Sequence, residues 1–170
     1  MESNKLSDNK TLAEKNNIKS ENCYIPYILG LIILIALFIT SRYNFLIFHT
    51  LAEFLSIAVA WSVFILVWHT KRFIQRDAFI FLGISYFFIG SIDLVHTLSY
   101  KGMGVIDVNL GANPATQLWI AARYMESMSL CLFSVLLSKH IKPNCVFAVF
   151  SVATTLILFS IFYWDIFPIC

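Results

Sequence analysis

The stretch FLGISYFFIGSIDLVHTLSYKGMGV, Phe81 to Val105, decides how the rest of the chain is read. Its first half is a run of apolar and aromatic residues of the kind that lipid accepts. Its second half carries Asp93 and His96, three residues apart, so that on a helix the two would project to the same side. An ionisable group inside an apolar span is costly in a bilayer, and it marks a functional position or a paired one.

The apolar character is general. The chain has 170 residues, of which 59% are hydrophobic and 13% charged, and its mean hydropathy is +0.77. A soluble domain carries roughly a quarter of its residues as charges, so this composition specifies an integral membrane protein. A net charge of +2 gives no reason to expect a nucleic-acid partner. The cysteines, Cys23, Cys131, Cys145 and Cys170, lack CxxC spacing, which argues against a zinc knuckle or a disulfide framework. No GxSxG or HExxH motif is present, and KGMGV (Lys101 to Val105) lacks the helix start of a phosphate-binding loop; it reads as a flexible turn. Nothing in the sequence points to an enzyme, and no cofactor is required.

Five apolar runs divide the chain, near residues 25–39, 49–69, 78–100, 116–138 and 145–164. The first is the shortest and is expected to extend into Tyr24 and Thr40. It reads as a retained anchor, because a long, partly acidic tail precedes it and TSRYNF, which follows, offers no small-residue cleavage site. At ~1.5 Å per residue the longer runs each cross a hydrocarbon core of ~30 Å. The predicted fold is therefore an all-α integral membrane bundle of about five transmembrane helices. Residues 1–23 are polar and without apolar period, a disordered cytoplasmic tail, and residues 24–170 form the membrane-embedded domain.

Alternating spans sort the basic residues by side. Lys5, Lys10, Lys15, Lys19, Lys71, Arg72, Arg76, Lys139 and Lys142 fall on one side, Arg42 and Lys101 on the other, and Arg123 within a span. The positive-inside rule then places the N-terminus in the cytoplasm. The third span leaves outward near Tyr100, which sets His96 ~6 Å and Asp93 ~10 Å below the outer boundary, and Arg123 and Glu126 return at ~10 Å and ~15 Å. His49 stands at that boundary, with Glu53 one turn down.

Rotation by 100° per residue aligns His49, Glu53, Ser56 and Ala60 on the second span and Gly83, Tyr86, Gly90, Asp93 and Thr97 on the third. On the fourth it aligns Trp119, Arg123, Glu126, Leu130 and Ser134. Each stripe is expected to serve as both polar face and packing face. The plain reading is that Arg123 pairs with Asp93 or Glu126 to fix helix register. The surplus of charged groups favours a pocket for a cationic, metallic or protonating signal. A metal held among His49, Glu53, Asp93, His96 and Glu126 is one version, and a haem between His49 and His96 another.

The segments HTLAEFLSI, FLGISYFFIGSIDLVHTLSYKGMGV and PATQLWIAARYMES, in this order, resemble the third class of the MASE group, the bacterial membrane-associated sensor domains that stand before histidine kinases and diguanylate cyclases. The likeness runs from about His49 to Ser129, and more weakly to WDIFP near the end. His49, Glu53, Asp93, His96, Thr97, Lys101, Gly102, Arg123 and Glu126 match the family's polar motifs. The resemblance implies a multi-pass protein of the bacterial cytoplasmic membrane that passes an unidentified small-molecule or ionic signal to a cytoplasmic output module. The candidate ligand-binding set is His49, Glu53, Asp93, His96, Thr97, Lys101, Arg123 and Glu126. Family members continue into further spans and an output domain, so a chain that stops at Cys170 is expected to be incomplete at its C-terminus. The oligomeric state, a homodimer included, is left open. The alternative readings are a small transporter or proton relay and a haem-bearing membrane subunit.

Overall fold

The computed structural model of the protein describes residues 24–103, 105 and 113–164. The predicted tail, Cys23, Cys170, most of the connection after Lys101 and most of WDIFP lie outside the described residues. Among the described residues every regular element is a helix: α1 (Tyr24–Tyr43), α2 (Phe45–Thr70), α3 (Asp77–Leu98), α4 (Asn113–Leu136) and α5 (Pro143–Phe162). They coincide with the predicted spans to within a few residues at each end. Four of them, α1, α2, α3 and α5, are long and apolar enough to cross a membrane. α4 has 24 residues, ample in length, but Arg123 and Glu126 lower its hydropathy.

The chain splits into two compact units between His49 and Thr50. In the first, α1 is a lipid-type helix with large apolar side chains exposed along it, such as Leu34 and Phe38. Asn44 ends it. The Asn44 side-chain oxygen accepts the N–H groups of Leu46 at 2.9 Å and Ile47 at 3.4 Å, and so caps the start of α2, the position at which Asn is favoured.

In the second unit α3 is the central element. In its most apolar 18-residue window 61% of residues are buried, against 11% for α2 and 17% for α5. The reason lies in its sequence. Gly83 and Gly90 supply small surfaces where α2 approaches, and Ile80, Phe81, Ile84, Phe88, Ile89 and Ile92 fill the remaining sides. A Cβ on Gly83 would sit 2.8 Å from Val67 Cβ, and one on Gly90 3.1 Å from Ala60 Cβ. The helices therefore meet at backbone distance, as small residues permit within a membrane.

Two apolar clusters hold the unit together. Ile80, Phe81, Ile84, Phe88 and Val146 form one, ringed by Phe64, Phe87, Phe147 and Phe150. The other gathers Ile89, Ile92, Leu118, Ala122 and Ile161. Near the start of α3, Asp77 Oδ2 accepts the Ile141 backbone N–H at 2.9 Å and meets His140 Nδ1 at 3.3 Å. This ties the α4–α5 turn to α3, and Pro143 then opens α5 at a position that needs no N–H.

One expected face is corrected. The buried residues of α4 are Pro114, Ala115, Gln117, Leu118, Ala121, Ala122 and Ser129, whereas Trp119, Leu130 and Ser134 of the predicted stripe are exposed. The packing face is centred on Leu118 and Ala122, with Arg123 and Glu126 along one edge. Alanines and serine let α4 lie close on α3, and that close approach sets the rotation more strongly than the charges do.

Candidate functional site

The charged residues gather at the end of the second unit near the connection from α3 to α4. Asp93 lies in the last quarter of α3, and Arg123 and Glu126 lie near the middle of α4. The Arg123 guanidinium uses both terminal nitrogens: Nη1 donates to Glu126 Oε2 at 2.7 Å, one turn along its own helix, and Nη2 donates to Asp93 Oδ2 across to α3. The Asp93 side chain is 4% exposed, that of Glu126 26% and that of Arg123 38%. Of the two carboxylates, the one on α3 is thus the more completely removed from its surroundings. Asp93 Oδ1 and Arg123 Nε are buried and have no hydrogen-bond partner among the described residues.

Beside this ion triad lies a cavity of about 290 Å³, lined by Leu55, Ser56, Val59 and Ala60 of α2, Tyr86, Ile89 and Asp93 of α3, and Arg123 and Glu126 of α4. Ser56, Ala60, Tyr86, Asp93, Arg123 and Glu126 all belong to the stripes deduced from helical periodicity. Leu55, Val59 and Ile89 were missed, since as ordinary aliphatic residues they carry no signal in the sequence. Tyr86 shares the cavity wall with Glu126, and Glu53 is close enough to add to the field at Arg123.

The other candidates are placed differently. His96 is buried, and its Nδ1 meets the Ala115 carbonyl at 2.7 Å. A carbonyl only accepts, so this nitrogen carries the proton, and the ring joins the end of α3 to the start of α4. Thr97 donates its hydroxyl to the Asp93 carbonyl within the same helix. Lys101 is exposed in the turn after α3, where Gly102 takes the left-handed conformation with φ 109°. Glu53 and His96 each present a ligand atom within 4.8 Å of the other. His49 stands one helical turn before Glu53 on α2, in the first unit, stacked on Phe45 at 6.0 Å. Of the five metal candidates, Asp93 and Glu126 are engaged by the guanidinium.

The Ala115 carbonyl is the partner that sequence reading overlooked. A main-chain acceptor leaves no trace in side-chain chemistry.

Chemically, the triad holds two carboxylates against one guanidinium at the edge of an apolar cavity. That arrangement suits recognition, because it has fixed charge and unsatisfied hydrogen-bonding capacity beside an apolar wall. The helices and their composition define a multi-pass protein of the inner membrane. A family model described as the membrane-associated sensor domain MASE3 matches residues 40–170, and the chain belongs to that family. The family is one of membrane-associated sensor domains. Comparison with curated proteins and with solved structures returns no match.

Proposed function

We propose that this chain is the sensory input domain of a bacterial signalling protein. It binds a small-molecule or ionic signal in the cavity walled by α2, α3 and α4 and relays it to a cytoplasmic output module, a histidine kinase or a cyclic-di-GMP enzyme. The observation that carries the reading is the Arg123 guanidinium, which holds a carboxylate from each of two helices beside a 290 Å³ cavity. A bridge of this kind couples the positions of α3 and α4 to whatever occupies the cavity. A ligand that places its charge beside either carboxylate alters the energy of the helix pair, which is the differential interaction a two-state switch needs.

The orientation adopted is the one that the basic residues favour, with the N-terminus and the turns holding Lys71, Arg72, Arg76, Lys139 and Lys142 in the cytoplasm. The cavity then opens in the outer half of the membrane and is reached from outside or from the lipid. His96 and Thr97 act as supports of the α3 end, and Lys101 stands in the turn that follows it.

The test is the signalling response in cells that express the sensor together with its output module. Asp93→Asn keeps the side-chain volume and removes the charge, and is expected to leave membrane insertion intact while abolishing the response. Insertion and a wild-type response together would remove the cavity from the mechanism.

A further inference from the structure

The charge and hydrogen-bond balance of the cavity narrows the kind of signal it takes. Asp93 and Glu126 bring two negative charges and Arg123 one positive charge, which leaves one carboxylate charge uncompensated within the triad. Glu53, whose field also reaches Arg123, adds to the excess. Among the described residues no other lysine or arginine lines the cavity. The single guanidinium already spends one N–H of each terminal nitrogen on the two carboxylates. An anion bonding its remaining N–H groups would meet two like charges beside them.

A second observation points the same way. Asp93 is 96% buried at its side chain by the exposure of 4%, and its Oδ1 has no donor among the described residues. A buried carboxylate oxygen without a donor has lost its solvation without gaining a partner, and a cation placed against the carboxylate offsets that loss. The remaining wall is apolar, made by Leu55, Val59, Ala60 and Ile89, so the ligand needs a hydrocarbon body. At the ~30 Å³ that a molecule of liquid water occupies, 290 Å³ holds a ligand of roughly ten non-hydrogen atoms.

We infer that the cavity between α2, α3 and α4 is a site for a small amphipathic organic ammonium ion, whose charged group sits against the Asp93 and Glu126 carboxylates and whose apolar body lies against Leu55, Val59 and Ile89. This rests on the sensory reading for its biological meaning and goes beyond it in naming the ligand class. The ion supplies the missing positive charge, leaves the Arg123 bridge in place and fills the apolar wall. A metal ion would satisfy the charge and waste the hydrocarbon surface.

Binding to the full chain in lipid nanodiscs tests this, with cyclohexylmethylammonium, its neutral isostere cyclohexylmethanol, and cyclohexanecarboxylate as probes. Thermal stabilisation and competition against a labelled amine report affinity. The ammonium ion is expected to bind at least about tenfold more tightly than the alcohol, the margin of a charge-assisted hydrogen bond over a neutral one, and the carboxylate not at all. Glu126→Gln is expected to remove most of that margin in a protein that keeps its helical circular dichroism, while Lys139→Ala, remote from the cavity, keeps it. Equal binding of ammonium and alcohol, tighter binding of the carboxylate, or no saturable binding of the ammonium ion to folded protein would each overturn the inference. If the ammonium ion fails but Asp93→Asn still abolishes signalling, the ligand class is wrong and the sensor reading stands. If it binds and Asp93→Asn signals normally, the site exists and the sensor reading fails.

Discussion

Replacing Arg123 should damage the fold more than replacing its partner Asp93, although the two form one ion pair. The asymmetry comes from what each removal leaves behind. Arg123→Met strips the Asp93 carboxylate of the only cation that reaches it among the described residues, in a side chain 4% exposed. Removing one member of a buried pair costs about 3–5 kcal/mol, because the other charge stays behind unpaired. Asp93→Ala leaves the guanidinium with Glu126, 2.7 Å away, in a side chain 38% exposed. Its cost is about 1–2 kcal/mol once the retained partner and the exposure are allowed for. The double variant removes both charges from the α3–α4 contact and should recover about 1–3 kcal/mol relative to Arg123→Met alone. Unfolding of detergent-solubilised protein by a denaturing detergent, followed by circular dichroism, gives the three free energies. Equal losses from the two single variants, or a double variant no better than Arg123→Met, would refute the reasoning that Asp93 depends on Arg123 for its burial.

Gly83→Ala places a Cβ 2.8 Å from Val67 Cβ and Cγ1, neither of which can swing away; the forced parting of α2 and α3 should cost about 1–3 kcal/mol in the same unfolding experiment. His96→Ala breaks the bond to the Ala115 carbonyl and should destabilise by about 1–3 kcal/mol, with faster hydrogen exchange in the first turn of α4. Asp77→Ala releases the Ile141 amide, and that amide should lose protection from exchange while α3 keeps its own. Cysteines introduced as Lys139→Cys and Lys101→Cys should react with a membrane-impermeant maleimide from opposite sides, the first only in inverted vesicles and the second in intact cells. Reaction of both from one side would reverse or break the proposed orientation.

The helices were legible because apolar run length is a strong signal. Residues 49–69, 78–100, 116–138 and 145–164 anticipated α2 to α5 closely, and the extension of the first run into Tyr24 proved correct. The break at Asn44 was the boundary that run length did not give; the structure shows it as the asparagine cap of α2. Periodicity also carried the cavity, since Ser56, Ala60, Tyr86, Asp93, Arg123 and Glu126 emerged on three separate stripes and meet in space. It failed on the rotation of α4. Counting polar residues put Trp119, Leu130 and Ser134 inward, whereas the small residues Ala121, Ala122 and Ser129 determine how closely α4 lies on α3 and so which face is buried. In a membrane the polar residues of a helix show where chemistry is concentrated, and the small ones show where the helices touch.

A variant that fills the cavity while sparing every charge separates recognition from structure. Ser56 lines the cavity from α2, outside the ion triad, and Ser56→Phe puts an aromatic ring into that space and leaves Asp93, Arg123 and Glu126 intact. The measurement is the signalling response of this variant in cells, beside its insertion and unfolding free energy. If the cavity is where the signal is read, the protein inserts and folds as the wild type does and its response is lost or locked in one state. A full response from a stably inserted Ser56→Phe protein would show that the cavity is not the point of recognition and that the triad serves helix packing alone.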